Sequence, residues 1–374
     1  AVDDIFRRAL DLRATDIHLE PMRGRLVMRF RIDGVLRIMP APPHEMGDAI
    51  VSRIKVLAGL DITERRKPQD GAMRLPIGDR EVEMRVATLS SIHGETIVLR
   101  ILHRDSVLLD FAGVGLNERE RQIFGRLLEH THGMIAVAGP TGSGKTTTLA
   151  AALSRLNDPG RKIVTIEDPV EYQIPGIVQS QIQPAIGITF SSAIRTFLRQ
   201  DPDVILVGEI RDAETARIAV RAAMTGHLVF STLHTNDAPE AIATLRNMDV
   251  PSYLISSALT AVVGQRLVRT ICPECRTSFA PGATLLKSIG LPATVKKLFR
   301  GKGCDTCYRT GNRGRTGIFE ILEISGDVRK LIAADAGPEA IAKAAKLKTM
   351  AQHCREKVKE GIVEPEEFLK VIRT

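Results

Sequence analysis

Tryptophan is absent from the 374 residues, tyrosine occurs 3 times, and aromatic residues make up 4% of the chain. Platforms that stack single-stranded nucleic acid are built from aromatic rings, so that class of partner is disfavoured. No apolar run approaches the ~18 residues of a membrane-spanning helix, and no charged-then-apolar leader is visible, so neither a span nor a secretory signal is expected. The chain reads as cytosolic. It starts at Ala1 rather than Met, with residues 3–12 already patterned as a helix, and the expectation is a fragment lacking an upstream region. Acidic residues, at 44, are fewer than the 52 basic ones, and the net charge of +8 invites an acidic partner, either nucleic acid or anionic lipid headgroups. A hydrophobic content of 44% is enough for sizeable cores, and the length predicts about two or three domains.

Against these absences stands one dense motif. Gly139-Pro140-Thr141-Gly142-Ser143-Gly144-Lys145-Thr146 fits the phosphate-binding pattern of Gly, four residues, then Gly-Lys-Thr. An apolar run at 134–138 precedes it as a buried strand, and an Ala/Leu-rich helix follows at 146–156, carrying Thr147 in its first turn. The glycines let backbone N–H groups and the positive helix end face a β-phosphate. Lys145 would reach the β- and γ-phosphates and the Thr146 hydroxyl would ligate Mg²⁺. The bland alternative is a Gly-rich turn with a chance lysine.

Residues 1–104 read as a small N-terminal α+β domain. A short amphipathic helix leads to strands at 25–32, 82–87 and 96–101, with a hairpin turn at Asp33-Gly34 and a helix at 49–57. Arg85 and Arg100 sit inside the last two strand patterns, where an arginine ordinarily marks a solvated face. Residues 105–118 read as a linker. From 119 to 269, strands recur with helices between them, the mark of a doubly wound parallel sheet. In such sheets ligands bind at the carboxyl ends of strands, and Glu167-Asp168, Glu209 and His234 all fall there. Glu209 could orient or deprotonate the attacking water or hold Mg²⁺ through water, and Glu167 or Asp168 could share either task. His234 is placed for a γ-phosphate contact, against the bland reading of a structural histidine. Residues 254–269 are expected to be helical.

Cys272, Cys275, Cys304 and Cys307 form two C-x-x-C pairs, and two such knuckles complete a tetrahedral zinc shell. A disulfide or redox dithiol would need an oxidising compartment or a thioredoxin-like context, neither of which is apparent. Cys354 is left as a core thiol. Lys296, Lys297, Arg300, Lys302, Arg309, Arg313 and Arg315 cluster around the knuckles, either as a solvated face or as a headgroup- or partner-binding patch. Residues 270–320 are read as a tetracysteine zinc module and 321–374 as a C-terminal helical region.

Taken together the chain resembles the secretion ATPase superfamily that powers type II secretion and type IV pilus assembly. The resemblance rests on four boxes in order: the phosphate loop at 139–146, Glu167-Asp168-Pro169-Val170-Glu171, Val207-Gly208-Glu209-Ile210-Arg211-Asp212, and Thr225-Gly226-His227 through His234-Thr235-Asn236. It implies a RecA-like P-loop ATPase core, ATP, Mg²⁺ and Zn²⁺ as ligands, a homo-oligomeric and hexameric ring, and a cytoplasmic position at the inner membrane through secretion or pilus platform proteins. It also implies that Arg85 and Arg100 contact the γ-phosphate. The tetracysteine module is typical of the secretion and pilus-assembly branches and is missing from pilus retraction ATPases. Glu171-Tyr172-Gln173-Ile174-Pro175-Gly176 and Gly314-Arg315-Thr316-Gly317-Ile318 resemble the secretion branch more closely. The family's upstream domain, which docks on the platform, lies outside this chain. The rivals are a pilus-assembly ATPase, a nucleic-acid translocase with the same core, and a scaffold that does not hydrolyse nucleotide.

Overall fold

Apolar and basic residues alternate over much of Arg25–Ile32, and in the computed structural model that alternation becomes the two faces of an antiparallel sheet. Residues 1–78, 80–102 and 110–371 are described, and the chain divides into two units, 1–105 and 106–374. The first contains α1 (Val2–Asp11), β1 (Ala14–Met22), β2 (Arg25–Ile32), β3 (Val35–Met39), α2 (Gly47–Leu57), β4 (Gln69–Ile77), β5 (Arg80–Ser91) and β6 (Gly94–Leu102). The strands form one six-stranded sheet of order β3-β2-β1-β6-β5-β4. Leu26, Met28, Phe30 and Ile32 turn inward from β2, and the last three join Ile5, Phe6 and Ala9 of α1 and Ile50, Val51 and Ile54 of α2. Asp33 at φ 48° and Gly34 at φ 84° supply the two left-handed residues that a primed hairpin turn requires.

The second unit opens with α3 (Phe111–Val114), α4 (Glu118–Leu128), β7 (Gly133–Ala138), α5 (Lys145–Leu156), β8 (Ile163–Glu167), β9 (Val178–Gln181), α6 (Phe190–Phe197) and β10 (Val204–Val207). It continues with α7 (Ala213–Met224), β11 (Leu228–Leu233), α8 (Ala238–Asn247), α9 (Ser252–Ala258) and β12 (Leu259–Ile271). Then come β13 (Arg276–Phe279), α10 (Ala283–Ser288), β14 (Leu298–Gly301), β15 (Asn312–Glu323), α11 (Gly326–Ala333), α12 (Pro338–Ala344), α13 (Met350–Glu360) and α14 (Pro365–Val371). Its seven-stranded sheet has the order β15-β12-β7-β11-β10-β8-β9, parallel from β12 to β9 with β15 antiparallel at the edge. One face packs on α6, α7, α8, α9 and α11, the other on α3, α4 and α5.

Two expectations change here. Residues 254–269 are not one helix: α9 ends at Ala258 and β12 runs on as a strand between β7 and β15. Residues 261–265 are buried throughout, and a strand covered on both faces loses the two-residue period that would tell it from a helix. The expected linker at 105–118 is replaced from residue 111 by α3, whose Phe111 and Val114 are buried with Phe124 of α4. Its part at 105–109 lies outside the described residues. The four paired cysteines occupy the segment between β12 and β15, where the antiparallel β13–β14 pair packs near α13 and α14 through Leu298, Val358 and Phe368.

Among the described residues, the core of the first unit holds one charge pair. The Lys55 ammonium on α2 donates to Glu95 at 2.9 and 3.1 Å and to the Glu64 carbonyl at 2.6 Å, with its side chain 1% exposed. Removing one partner of a buried pair strands the other charge and costs about 3–5 kcal/mol. Glu95→Ala is therefore expected to lower the unfolding midpoint of this unit, followed by circular dichroism in urea, and Lys55→Met combined with Glu95→Leu to recover much of the loss. An unchanged midpoint in Glu95→Ala would contradict this.

Candidate active site

The phosphate loop joins β7 to α5 at the carboxyl edge of the sheet, pressed against β12. A Cβ on Gly139 would overlap the Gln265 carbonyl, and one on Gly144, at φ +86°, would come 2.9 Å from the Gln265 amide nitrogen. The Gln265 side chain accepts from the Thr148 hydroxyl at 2.8 Å, both being buried. Sequence reading missed Gln265 because it fell within the residues taken for a helix. Among the described residues, Gln265 Nε2 and Ser143 Oγ are buried without a hydrogen-bond partner, as polar atoms facing an anion site would be.

Lys145 donates to the carbonyls of Gly139 at 2.7 Å and Pro140 at 3.0 Å. Burial pulls its ammonium down from 10.5 to about 8, partly opposed by the Glu209 carboxylate. Thr147 meets the Tyr172 hydroxyl at 3.1 Å, tying α5 to the segment after β8.

Glu209 and His234, singled out on different strands, are brought together at 3.3 Å, and Arg211 lies 2.7 Å from the other Glu209 oxygen. The Glu209 side chain is 12% exposed while Arg211 and His234 remain open to solvent. Glu167 ends β8, beside β10, and accepts from Thr165 at 2.6 Å and Gln179 at 3.0 Å; burial raises its carboxyl pKa. Gln179 also accepts from the Ile174 N–H and donates to the Tyr172 carbonyl, so it shapes this loop, a role no sequence pattern announced. Asp168 is exposed. His227 precedes β11, at the opposite edge of the sheet from His234, with its Nδ1 3.1 Å from the Ala222 carbonyl.

Arg85 and Arg100 belong to the first unit. They stand directly opposite each other on β5 and β6, both exposed, and Arg100 donates through Nε to Asp16 at 3.0 Å.

The cysteine sulfurs lie within 4.8 Å of one another, with 272–304 at 3.9, 275–307 at 3.8 and 304–307 at 3.7 Å. These separations match the ~3.8 Å edge of a tetrahedron with metal–sulfur bonds of about 2.3 Å, and are far from disulfide length. Backbone N–H groups of Cys304 and Gly311 donate to the Cys307 sulfur. The four residues fit a metal ion.

Residues 1–370 match the family described as Type II/IV secretion system protein. The chain belongs to this family of secretion ATPases. It is 45% identical over 375 residues to the type II secretion system protein E of Pseudomonas aeruginosa, covering 100% of this chain and 75% of that protein. Identity to the type II secretion system ATPase E of Vibrio cholerae is likewise 45%, over 378 residues, 100% of this chain and 75% of the relative. The fold is similar to that of the Legionella pneumophila ATPase DotB, with a TM-score of 0.76 at 22% identity over 99% of this chain and 95% of that one. The pilus retraction motor PilT, solved with ADP, gives 0.65 at 26% identity over 99% and 96%. Among the described residues no helix is long and apolar enough to cross a membrane.

A phosphate beside Lys145 favours its charged form, so the pKa of about 8 in the free protein should rise on nucleotide binding. Near pH 8.5 binding should take up protons and the apparent affinity should fall with rising pH, whereas near pH 6.5 this group should contribute no uptake. Calorimetry in buffers of different ionisation enthalpy reads the uptake. Buffer-independent heats at pH 8.5, or the same uptake in Lys145→Ala, would contradict the assignment.

Proposed function

We propose that the chain is a Mg²⁺-dependent ATP hydrolase that works in a homo-oligomeric, hexameric ring at the cytoplasmic side of the inner membrane, where platform proteins recruit it. Its domain motions drive pseudopilus growth for protein export. The observation that carries this reading is the convergence of Lys145, Glu209 and His234 beside the phosphate loop, in a chain whose relatives are named for type II secretion. Those names also favour secretion over pilus assembly.

In this reading the backbone N–H groups of residues 141–146 and the start of α5 attract the β-phosphate, and Lys145 exchanges the loop carbonyls for phosphate oxygens. The Thr146 hydroxyl holds Mg²⁺, which when bound neutralises charge shared by the β- and γ-phosphoryl oxygens. Glu209 takes the proton of the attacking water; Glu167, engaged by Thr165 and Gln179, shapes the loop beside it. His234 steadies Glu209 and meets the γ-phosphate. Arg85 and Arg100 neutralise charge developing on the γ-phosphoryl oxygens, a role worth about 10³ in rate or more. Cys272, Cys275, Cys304 and Cys307 hold Zn²⁺ structurally, because four thiolates leave no position for water.

Lys145→Ala should weaken nucleotide binding along with turnover. Glu209→Gln keeps the shape without the carboxylate, so ATP should bind and stay unhydrolysed. Affinity and turnover for both variants check this, and substantial ATPase activity in Glu209→Gln would remove it from its role.

The double variant Cys272→Ser/Cys275→Ser should lose stoichiometric zinc and the stability of residues 270–320 while still binding ATP. Elemental analysis finding well under one zinc per wild-type chain would refute the site.

A further inference from the structure

The open face of the six-stranded sheet carries a row of charges with a buried organiser. Ala14 and Asp16 stand two residues apart on β1, yet Ala14 is packed in the core with α1 and α2 while Asp16 pairs with Arg31 of β2 and Arg100 of β6 on the opposite face. A bulge makes the difference. The register with β2 steps from Ala14–Ile32 to Asp16–Arg31, and Thr15, the extra residue, reverses the alternation. The Thr15 hydroxyl then donates to Asp16 Oδ2 at 2.8 Å.

Asp16 divides its oxygens between two arginines: Oδ1 accepts from Arg100 Nε at 3.0 Å, and Oδ2 lies 3.5 Å from Arg31 Nε. Its side chain is 8% exposed and that of Arg100 is 67% exposed. Capture by Nε fixes the plane of the Arg100 guanidinium and, among the described residues, leaves its two terminal nitrogens for an incoming anion. Arg29, on the same face, is held differently: a terminal nitrogen donates to Glu20 at 2.5 Å, so one arm of its fork is already engaged. Arg85 lies directly across from Arg100, and like charges opposed on a sheet are destabilising. Stability alone gives no reason to bring the two together; an anionic ligand for the pair does.

We propose that Asp16 is a positioning residue that presents Arg100 to the γ-phosphoryl group, an inference that rests on the arginine role proposed above. The bulge at Thr15 brings the carboxylate to the arginine face, and the carboxylate sets the guanidinium.

The test measures ATP turnover of the full chain, under conditions where oligomers form, for Arg100→Ala, Asp16→Asn, Asp16→Ala and the Asp16→Ala/Arg100→Ala double variant, with thermal melts for each. Misplacing a transition-state contact is expected to lower kcat about tenfold or more in Asp16→Ala, with KM within about twofold of wild type. Asp16→Asn, which keeps an acceptor but not the charge, should fall between. In the Arg100→Ala background the Asp16→Ala change should alter turnover by less than about twofold, because the group it positions is gone. Wild-type turnover in Arg100→Ala would remove the arginine role itself and this inference with it. A slow Arg100→Ala beside a fully active Asp16→Ala would overturn this inference alone, as would losses that multiply in the double variant. Should Asp16→Ala fail to melt like wild type, Asp16→Asn, alone and combined with Arg100→Ala, carries the same comparisons.

Discussion

The second unit depends on how closely the phosphate loop can approach β12. Gly139 and Gly144 face Gln265 with no room for a side chain, so the loop's backbone, rather than a wall of side chains, forms the floor of the site. The same glutamine takes the Thr148 hydroxyl and thereby fixes the first turns of α5 against the sheet. Strand order does the rest. With β7 between β12 and β11, and β10 next in line, the carboxyl ends that carry the loop, Glu209 and His234 fall along one edge. A substitution at Gly139 would therefore disturb the loop, the helix start and the seating of β12 together.

Charge in both units is handled by placing a mostly buried carboxylate between two more exposed cationic or titratable groups. Glu209 lies between Arg211 and His234, and Asp16 between Arg31 and Arg100. The carboxylate is the anchored member in each case and the arginine the exposed one. A guanidinium carries five donors in a rigid plane, so one hydrogen bond to a fixed oxygen orients the remaining donors. Lys55 and Glu95 show the other use of charge, with both partners buried and each satisfied by the other. That pair holds α2 to the start of β6 and the Glu64 turn, and nothing in it is available to a ligand.

What the sequence determined alone is what depends on neighbours along the chain. The phosphate loop, the Asp33-Gly34 turn, the paired cysteines and the acids just past β8 and β10 are short-range patterns, in which backbone freedom, ligand spacing or strand-end position is encoded within a few residues. Alternation on β2 likewise declared one buried and one solvated face. Only the tertiary structure decided the character of β12, because a strand covered on both faces carries no period to read, and with it the place of Gln265. It alone set Arg85 against Arg100, since cross-strand register is fixed by pairing and not by spacing in the chain. The same holds for Asp16, whose face depends on one extra residue in β1 that becomes visible only when β2 lies alongside.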